Sequence, residues 1–230
     1  MKTIGLVGGT SWISTLDYYR LFNEGVNSRR GGNEAAKIAL YSVNYGEIKD
    51  LTQANRWDAI ADIICDAARK VERAGGECLL LGANTMHNIA PQVQAAVNIP
   101  LIHIADTTAA AIKKASLTTV ALLGTKYTMQ LPFYRDKLAV HGIETILPDG
   151  VGVELINDSI YNELGKGVFL PETKAAYLQL FEKLAAKGAQ GIILGCTEIP
   201  LLIKQEDTAI PVFDTTFLHA QAAVSFALSE

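Results

Sequence analysis

The sequence predicts an α/β fold of two similar lobes, each a parallel sheet flanked by helices. Two observations support this prediction. Short apolar runs without polar alternation, which are typical of parallel strands buried on both faces, alternate with amphipathic stretches along the chain. In addition, segments of the first half recur in the same order in the second half, which indicates an internal duplication.

The individual elements follow from this alternation. The expected strands are residues 3–7, 37–43, 78–81, 101–104, 119–123, 143–147, 191–194 and 210–213. The expected helices are residues 15–29, 56–74, 87–97, 107–114, 128–141, 153–164, 172–187 and 215–228. Because strand and helix alternate throughout, we expect βαβ units with right-handed crossovers.

The repeat consists of three matched pairs of segments. The pairs are residues 3–9 with 119–125, 79–85 with 192–198, and 99–108 with 210–216. In the second pair, an apolar run ends at Gly82 in one half and at Gly195 in the other. When these glycines are superimposed, Cys196 falls opposite Ala83.

The repeat also suggests where the lobes divide. We expect residues 1–98 and 209–230 to form the first lobe, which recovers its last strand and helix from the end of the chain, and residues 99–208 to form the second. Ligands of open parallel sheets bind beyond the carboxyl ends of the strands. The loops at those ends are rich in small and hydroxylated residues, so we expect them to converge on one cleft for a small polar molecule.

Composition excludes several classes of protein. A net charge of -4 and a pI of about 5.6 argue against a nucleic-acid-binding face, since the one basic cluster is Arg29-Arg30. No apolar run is long enough for a membrane span, and the first residues lack the apolar core of a signal peptide. Three cysteines without metal-ligand spacing do not suggest a disulfide framework. We expect a reduced, cytoplasmic protein.

Cys196 is the leading candidate for chemistry. It follows a buried strand and a glycine, and we expect backbone N–H groups in the loop to stabilise its thiolate and lower the thiol pKa. The alternative is a small buried apolar residue, the usual role of a free cysteine. That role suits Cys65 in mid-helix and Cys78 at the start of a strand better than Cys196.

The same loops offer hydrogen-bond donors for a carboxylate. Asn84, Thr85 and Thr197 follow strand ends, and Thr125 and Thr128 contribute in the same way from the second lobe. Oriented N–H groups hold an anion without a counter-charge. The alternative for these residues is ordinary capping of helix N-termini.

Other polar residues have weaker signals. Glu198 could contact a substrate ammonium, orient a neighbouring group, or begin a helix. His87 could carry protons or cap a helix, and His103 lies in an expected apolar strand, which favours a structural histidine. The loop Gly8-Gly9-Thr10-Ser11 lacks the lysine of a phosphate-binding loop. No cluster of residues has the spacing of a metal site.

Four motifs together resemble the aspartate/glutamate racemase family, close to its broad-specificity branch acting on L-Asp and L-Glu. They span nearly the whole chain: Gly8-Gly9-x-Ser11-Trp12, Gly82-x-Asn84-Thr85-Met86-His87, Gly124-Thr125-x-Tyr127-Thr128-Met129 and Gly195-Cys196-Thr197-Glu198-Ile199. The resemblance implies two lobes of pseudo-twofold symmetry, a homodimer and no cofactor. It also implies that two cysteines on opposite faces of Cα remove and return its proton.

The resemblance assigns roles to residues of this chain. Cys196 is the expected catalytic thiol, and the expected substrate-binding residues are Thr10, Asn84, Thr85, Thr125, Lys166, Thr197 and Glu198. The substrate implied is a small acidic amino acid. The chain departs from the family at Ala83, where most members have the second cysteine and an L-selective subgroup has threonine.

Alanine can neither donate nor accept a proton, so three functions stay open. The first is a cofactor-independent aspartate/glutamate racemase with Ala83 in place of one cysteine. The second is a decarboxylase or isomerase that uses a single thiol on a small dicarboxylate. The third is an amino-acid-binding homologue without turnover.

Overall fold

The computed structural model describes residues 1–229 and contains two parallel sheets flanked by helices. The predicted α/β class is therefore confirmed. The chain divides into two compact units, of which the first holds Met1–His103 and the residues from His219 onward, and the second holds Ile104–Leu218. Within residues 1–229, none of the helices combines the length and apolar character that a membrane crossing requires.

The first unit is built on a three-stranded sheet of order β2-β1-β3. Its elements are β1 (Ile4–Gly8), α1 (Trp12–Arg30), β2 (Ile38–Ser42), α2 (Tyr45–Gln53), α3 (Trp57–Arg73), β3 (Cys78–Leu81), a 3-10 turn (Thr85–Ile89) and α4 (Ala90–Ala95). All residues of β1 and β3 are buried, because α1 covers one face of the sheet and α3 the other.

The second unit is built on a four-stranded sheet, and the labels of its elements continue from those of the first unit. Its elements are α5 (Ile104–Lys114), β4 (Thr119–Leu123), α6 (Lys126–Gln130), α7 (Pro132–Val140), β5 (Glu144–Ile146), α8 (Gly150–Asn162), a 3-10 turn (Leu164–Lys166), α9 (Pro171–Ala186), β6 (Ile192–Leu194), α10 (Ile199–Leu202), a 3-10 turn (Gln205–Asp207), β7 (Val212–Asp214) and α11 (Thr215–Leu228). The strands are arranged β5-β4-β6-β7, and every pairing is parallel. The helix α11 begins in this unit and continues in the first.

The two sheets share one strand order. In the first unit, Leu101 forms a single parallel bridge with Leu79 of β3, at the place that β7 occupies beside β6 in the second unit. The order β2-β1-β3-Leu101 therefore repeats β5-β4-β6-β7. This agreement follows the sequence repeat, in which residues 99–108 match residues 210–216.

The last helix of each repeat belongs to the core of the other unit. Ile104 and Ile112 of α5 are fully buried among residues of the second unit, although α5 follows the last bridge of the first sheet. In the same way, Ala220 and Val224 of α11 are fully buried against α1 and β1 in the first unit. Each half of the chain thus keeps its own strands and gives its last helix to the other half.

This exchange moves the boundaries that the sequence suggested. The strand near residues 210–213 does not join the first lobe, since β7 pairs with β6 in the second sheet. Only the helix returns. The units accordingly divide after His103 and after Leu218 rather than after residues 98 and 208.

Most predicted elements are present, and the exceptions have local causes. The predicted strand 101–104 is wrong beyond Leu101, because the chain turns into α5 at Ile104, and a short apolar run does not distinguish a strand from a buried helix. The helix α2 was missed since only Ile48 and Thr52 of it are buried, which leaves little apolar periodicity. The helix α10 is a single four-residue turn.

The exchanged helix gives a test of the fold. Val224 of α11 is fully buried, and Ser225 beside it is exposed, where its hydroxyl accepts a hydrogen bond from Arg29. Val224→Asp places an unpaired carboxylate in the first core and should lower the free energy of unfolding by about 3–5 kcal/mol. Ser225→Asp should change it by less than about 0.5 kcal/mol, as is usual at the surface. Urea unfolding of both variants measures this, and equal effects would contradict the burial of α11.

Candidate active site

Two glycines bring the loops after β4 and β6 side by side. The backbone N–H of Gly195 donates to the carbonyl of Leu123 at 2.7 Å. A Cβ added to Gly195 would lie 2.5 Å from that oxygen, and one added to Gly124 would lie 2.7 Å from the Gly195 carbonyl oxygen. Only glycine allows this approach, so the residues that follow each glycine begin at neighbouring points of the sheet edge.

Cys196, Thr197 and Glu198 form one hydrogen-bonded group after β6. The thiol of Cys196 donates to Oε2 of Glu198 at 3.0 Å, and the hydroxyl of Thr197 donates to the same oxygen at 2.9 Å. Their exposed fractions are 7%, 4% and 4%. The structure therefore joins three of the predicted site residues in one buried, hydrogen-bonded group of the second unit.

The protonation of Cys196 differs from the expectation. Burial raises the pKa of the Cys196 thiol well above its ordinary value, and the negative charge and hydrogen bond of Glu198 raise it further. Backbone N–H groups of Glu198 and Thr197 lower the pKa, as the sequence suggested, but they are the smaller effect. The prediction of a lowered thiol pKa is wrong because burial of the thiol, together with the adjacent carboxylate, outweighs those N–H groups.

Thr125 and Thr128 follow β4 and are both buried. The Thr125 side chain caps α6, accepting a hydrogen bond from the Thr128 backbone N–H at 3.3 Å, and the two hydroxyls lie 3.3 Å apart. Helix capping, the alternative left open by the sequence, is therefore observed for Thr125. Contact of either threonine with a substrate stays a prediction.

Lys166 lies on the surface of the second unit. It ends the 3-10 turn Leu164–Lys166, which packs beside α10, and Gly167 follows in the left-handed conformation with φ 75°. Its side chain is exposed and forms no ion pair with residues 1–229. Its predicted role in substrate binding therefore has no contact in the structure to support it.

In the first unit, the loops after β1 and β3 approach each other in the same way. The backbone N–H of Gly82 donates to the carbonyl of Val7 at 2.8 Å. Gly9 has a φ of +86°, and its N–H donates to the Thr15 hydroxyl at 2.9 Å. Thr10, which follows, is 8% exposed, and its hydroxyl has no hydrogen-bond partner among the described residues. A buried hydroxyl in this state can bind a polar ligand group.

Ala83, Asn84 and Thr85 follow β3 in this unit. Ala83 is partly buried against the core, Asn84 is buried, and Thr85 begins a 3-10 turn. His87 in that turn donates from its backbone N–H to the Asn84 carbonyl at 3.0 Å. The chain around Ala83 is therefore held by the turn that carries Asn84 and His87.

Three histidines gather beside this turn, an arrangement that the sequence analysis missed. The ring of His87 lies 4.6 Å from that of His103 and 5.6 Å from that of His219, measured between centroids. Nε2 of His219 donates to the carbonyl of Ile102 at 2.7 Å, so its Nδ1 accepts from the Tyr18 hydroxyl at 2.8 Å. His103 is only partly buried and lies outside any strand, contrary to expectation.

Hydrogen bonds hold the rings of His87 and His219 in place, and His219 is neutral. Nδ1 of His87 donates to the carbonyl of Ala83 at 3.0 Å. Burial lowers the pKa of His219 to about 3, and the neighbouring His87 lowers it in the same direction. Only proximity in the folded chain could have revealed this cluster, since His219 is more than a hundred residues of sequence away from His87 and His103.

The lowered pKa of His219 predicts a loss of stability in mild acid. In the unfolded chain, His219 binds a proton below its ordinary pKa of 6.5. In the folded chain, His219 stays neutral until the pH approaches about 3. Between pH 7.5 and pH 5 this should cost about 2 kcal/mol of unfolding free energy. In His219→Gln, whose amide can still donate to Ile102, that part of the pH dependence should vanish. Urea unfolding at both pH values measures it, and an unchanged slope would exclude His219 as the cause.

Within residues 1–229, no group of three or more His, Cys, Asp or Glu side chains is arranged to hold a metal ion. The buried titratable groups that could move a proton are the Cys196–Glu198 pair in the second unit and the histidine cluster in the first.

Comparison with known proteins identifies the family. The model of the Asp/Glu/hydantoin racemase family matches residues 7–223. A crystal structure of a proposed Asp/Glu racemase from Yersinia pestis is 46% identical over the full length of both chains, with a TM-score of 0.93. That of PH1733, an aspartate racemase homologue from Pyrococcus horikoshii OT3, is 36% identical over both full chains, with a TM-score of 0.88.

A curated relative is similar at lower identity. The broad specificity amino-acid racemase RacX of Bacillus subtilis is 28% identical over 168 residues, which are 73% of this chain and 72% of RacX. The family model therefore matches nearly the whole chain. The chain belongs to the Asp/Glu/hydantoin racemase family.

Proposed function

We propose that this protein is an amino-acid racemase acting on aspartate or glutamate, with Cys196 as the thiol that moves the Cα proton. One observation carries the proposal. In this chain of the racemase family, a buried cysteine follows a central strand, and its thiol donates a hydrogen bond to a buried carboxylate. The names of the relatives from Yersinia pestis and Bacillus subtilis support the same reaction class.

The chemistry requires a stabilised carbanion. Removal of the Cα proton leaves negative charge that spreads onto the substrate carboxylate, and fixed hydrogen-bond donors lower the energy of that charge. In this proposal the donors are Thr10, Asn84, Thr85, Thr125 and Thr197. The free hydroxyl of the buried Thr10 supports its place in this set.

Ala83 limits what the protein can do on the second face of Cα. A methyl group carries no proton, so in this proposal Cys196 serves one face while water or His87 must serve the other. The parent protein should therefore exchange the Cα hydrogen with solvent faster than it inverts the substrate. This asymmetry separates a one-thiol enzyme from a two-thiol racemase.

Restoring the second thiol tests the proposal. Ala83→Cys should raise the rate of racemisation of aspartate or glutamate by about a hundredfold or more, within the range typical of a positioned acid or base. Cys196→Ser should abolish exchange in both backgrounds, because a serine hydroxyl is a far poorer base. The measurements are Cα–H exchange in D2O by NMR and chiral chromatography of the product, without added metal or pyridoxal phosphate.

The control for this experiment is a third variant. Ala83→Ser matches the size of the new side chain without supplying a thiol, so it should leave racemisation at the parent rate. If Ala83→Cys binds the amino acid yet gains no activity over Ala83→Ser, the racemase proposal loses its main support.

A second candidate function is decarboxylation of a small malonate-like acid. The raised pKa of Cys196 favours it, since a thiol that stays protonated is suited to protonating a carbanion from one face. Incubation with phenylmalonate and chiral analysis of the product separates this candidate from the first. Product of one configuration from phenylmalonate, with no Cα exchange in aspartate, would favour it.

The cytoplasmic location stays an expectation.

We further propose a homodimer. Helix α1 exposes three large apolar side chains on one face, Trp12 (67%), Leu16 (60%) and Tyr19 (55%). Apolar area of this kind is typical of an interface. Light scattering should give the mass of two chains for the parent and of one chain for Leu16→Glu, while Glu24→Gln on the same helix should stay dimeric. A monomeric parent would exclude the dimer.

A further inference from the structure

The loop after β1 is closed by a single hydroxyl that takes no part in the proposed proton transfer. The backbone N–H of Gly9 donates to the Thr15 hydroxyl at 2.9 Å, and the same hydroxyl donates to the carbonyl of Ser11 at 2.8 Å. Gly9 and Ser11 are the residues on either side of Thr10. One side chain of α1 therefore joins the two ends of the three-residue segment that carries Thr10 at its centre.

Two glycines allow Thr15 and the loop after β2 to approach this segment closely. A Cβ added to Gly8 would lie 2.6 Å from Cγ2 of Thr15 and 2.8 Å from its Oγ1, so the Thr15 side chain packs directly on the Gly8 backbone. A Cβ added to Gly9 would lie 2.2 Å from the carbonyl oxygen of Val43, and the φ of Gly9, +86°, also favours glycine. The segment is thus confined between α1 and the loop after β2.

The confined segment presents a hydroxyl that has no partner of its own. Thr10 is 8% exposed and Thr15 is 7% exposed, yet the Thr10 hydroxyl forms no hydrogen bond with residues 1–229, whereas the Thr15 hydroxyl forms two. Buried hydroxyls are normally paired, and one that is held without a partner is available to a polar ligand group. Thr15 has therefore completed its bonds within the protein, and Thr10 has not.

We propose that Thr15 is a positioning residue for substrate binding, whose hydroxyl fixes the segment Gly9–Ser11 so that the Thr10 hydroxyl is held ready for the substrate carboxylate. This inference rests on the proposed function, which includes Thr10 among the carboxylate donors, and it adds a residue that acts through Thr10. A donor that is fixed before the substrate arrives loses less conformational entropy on binding. The Thr15 hydroxyl thus contributes to affinity although both of its hydrogen bonds go to the backbone.

The second unit holds the matching loop by a different contact. In the sequence repeat, Gly9 corresponds to Thr125, whose own hydroxyl caps α6. Continuing the same alignment places Leu131, which has no hydroxyl, opposite Thr15. A bridge that the fold itself required would recur in both repeats. The bridge formed by Thr15 instead belongs to the one loop that carries Thr10.

The competing role for Thr15 is purely structural. Its hydroxyl bonds to the carbonyl four residues earlier, a bond that threonine side chains commonly form in helices. In that case, loss of the hydroxyl would lower the free energy of unfolding and leave the affinity for the amino acid unchanged. The positioning role predicts weaker binding that depends on the presence of the Thr10 hydroxyl. The two roles therefore differ in whether the effects of changes at Thr10 and Thr15 on binding are coupled.

A double-mutant cycle with Thr10→Val and Thr15→Val measures this coupling. Valine keeps the branched shape of threonine and removes the hydroxyl. Each single variant should raise the Kd for aspartate or glutamate, measured by calorimetry, by about tenfold or more, within the range typical of a lost buried hydrogen bond. The double variant should bind within about twofold of Thr10→Val, since Thr15 acts through Thr10. Losses that simply multiply, or an unchanged Kd in Thr15→Val, would overturn the proposal.

Two further variants control for effects on structure. Thr15→Ser keeps the hydroxyl and should bind the amino acid as the parent does. Thr108→Val removes a fully buried hydroxyl that donates to the carbonyl of Ile104 at 2.8 Å, the same kind of bond that Thr15 makes to Ser11. It should lower the urea midpoint of unfolding without raising the Kd. Equal losses of affinity in Thr108→Val and Thr15→Val would overturn the role of Thr15. If Thr15→Val does not fold, the smaller Thr15→Ala replaces it in the cycle.

The outcomes also separate this inference from the racemase proposal, because binding does not require turnover. A parent protein that binds aspartate, shows coupled losses in the cycle and exchanges no Cα hydrogen would overturn the racemase proposal and support the role of Thr15. A parent that exchanges Cα hydrogen but shows independent losses would overturn the role of Thr15 alone. A parent that binds neither amino acid would overturn both.

Discussion

Burial of parallel strands on both faces is the constraint on which the rest of this structure depends. The strands β1, β3, β4 and β6 present almost no polar side chain, because helices cover both sides of each sheet. Polar groups can then meet a ligand only where a strand ends and its backbone donors are released. The glycines after these strands let neighbouring loops start together, so a few short segments contain nearly all of the candidate chemistry.

The electrostatics of Cys196 show how burial and one charged neighbour can outweigh the backbone N–H groups of a loop. Backbone N–H groups at a strand end favour a thiolate, and they do so here. Burial of the thiol opposes them most strongly, and the carboxylate two residues later opposes them further. A cysteine in this setting is a resting acid. A chain with alanine at position 83 thus combines one thiol that holds its proton with a second position that has none to give.

Much of the fold followed from pattern, and the failures have identifiable physical origins. The sequence repeat predicted two sheets and the matching position of Cys196, because buried strands and their terminal glycines leave a strong local signal. It could not show that α5 and α11 change places, since an amphipathic helix does not specify which sheet it covers. The cluster of His87, His103 and His219 and the pairing of Cys196 with Glu198 also escaped prediction. These depend on side-chain directions that the sequence does not encode locally.

The exchange of the last helices affects the order in which the two units can fold during synthesis. The first sheet is synthesised before the second, but the apolar face of α1 and β1 is covered by Ala220, Ala223 and Val224 of α11, which follows the strands of both sheets. On the ribosome, the core of the first unit therefore stays open until α11 has left the exit tunnel. The second unit contains α5 and every strand of its own sheet by Asp214, so it can close first. The order of folding is then the reverse of the order of synthesis.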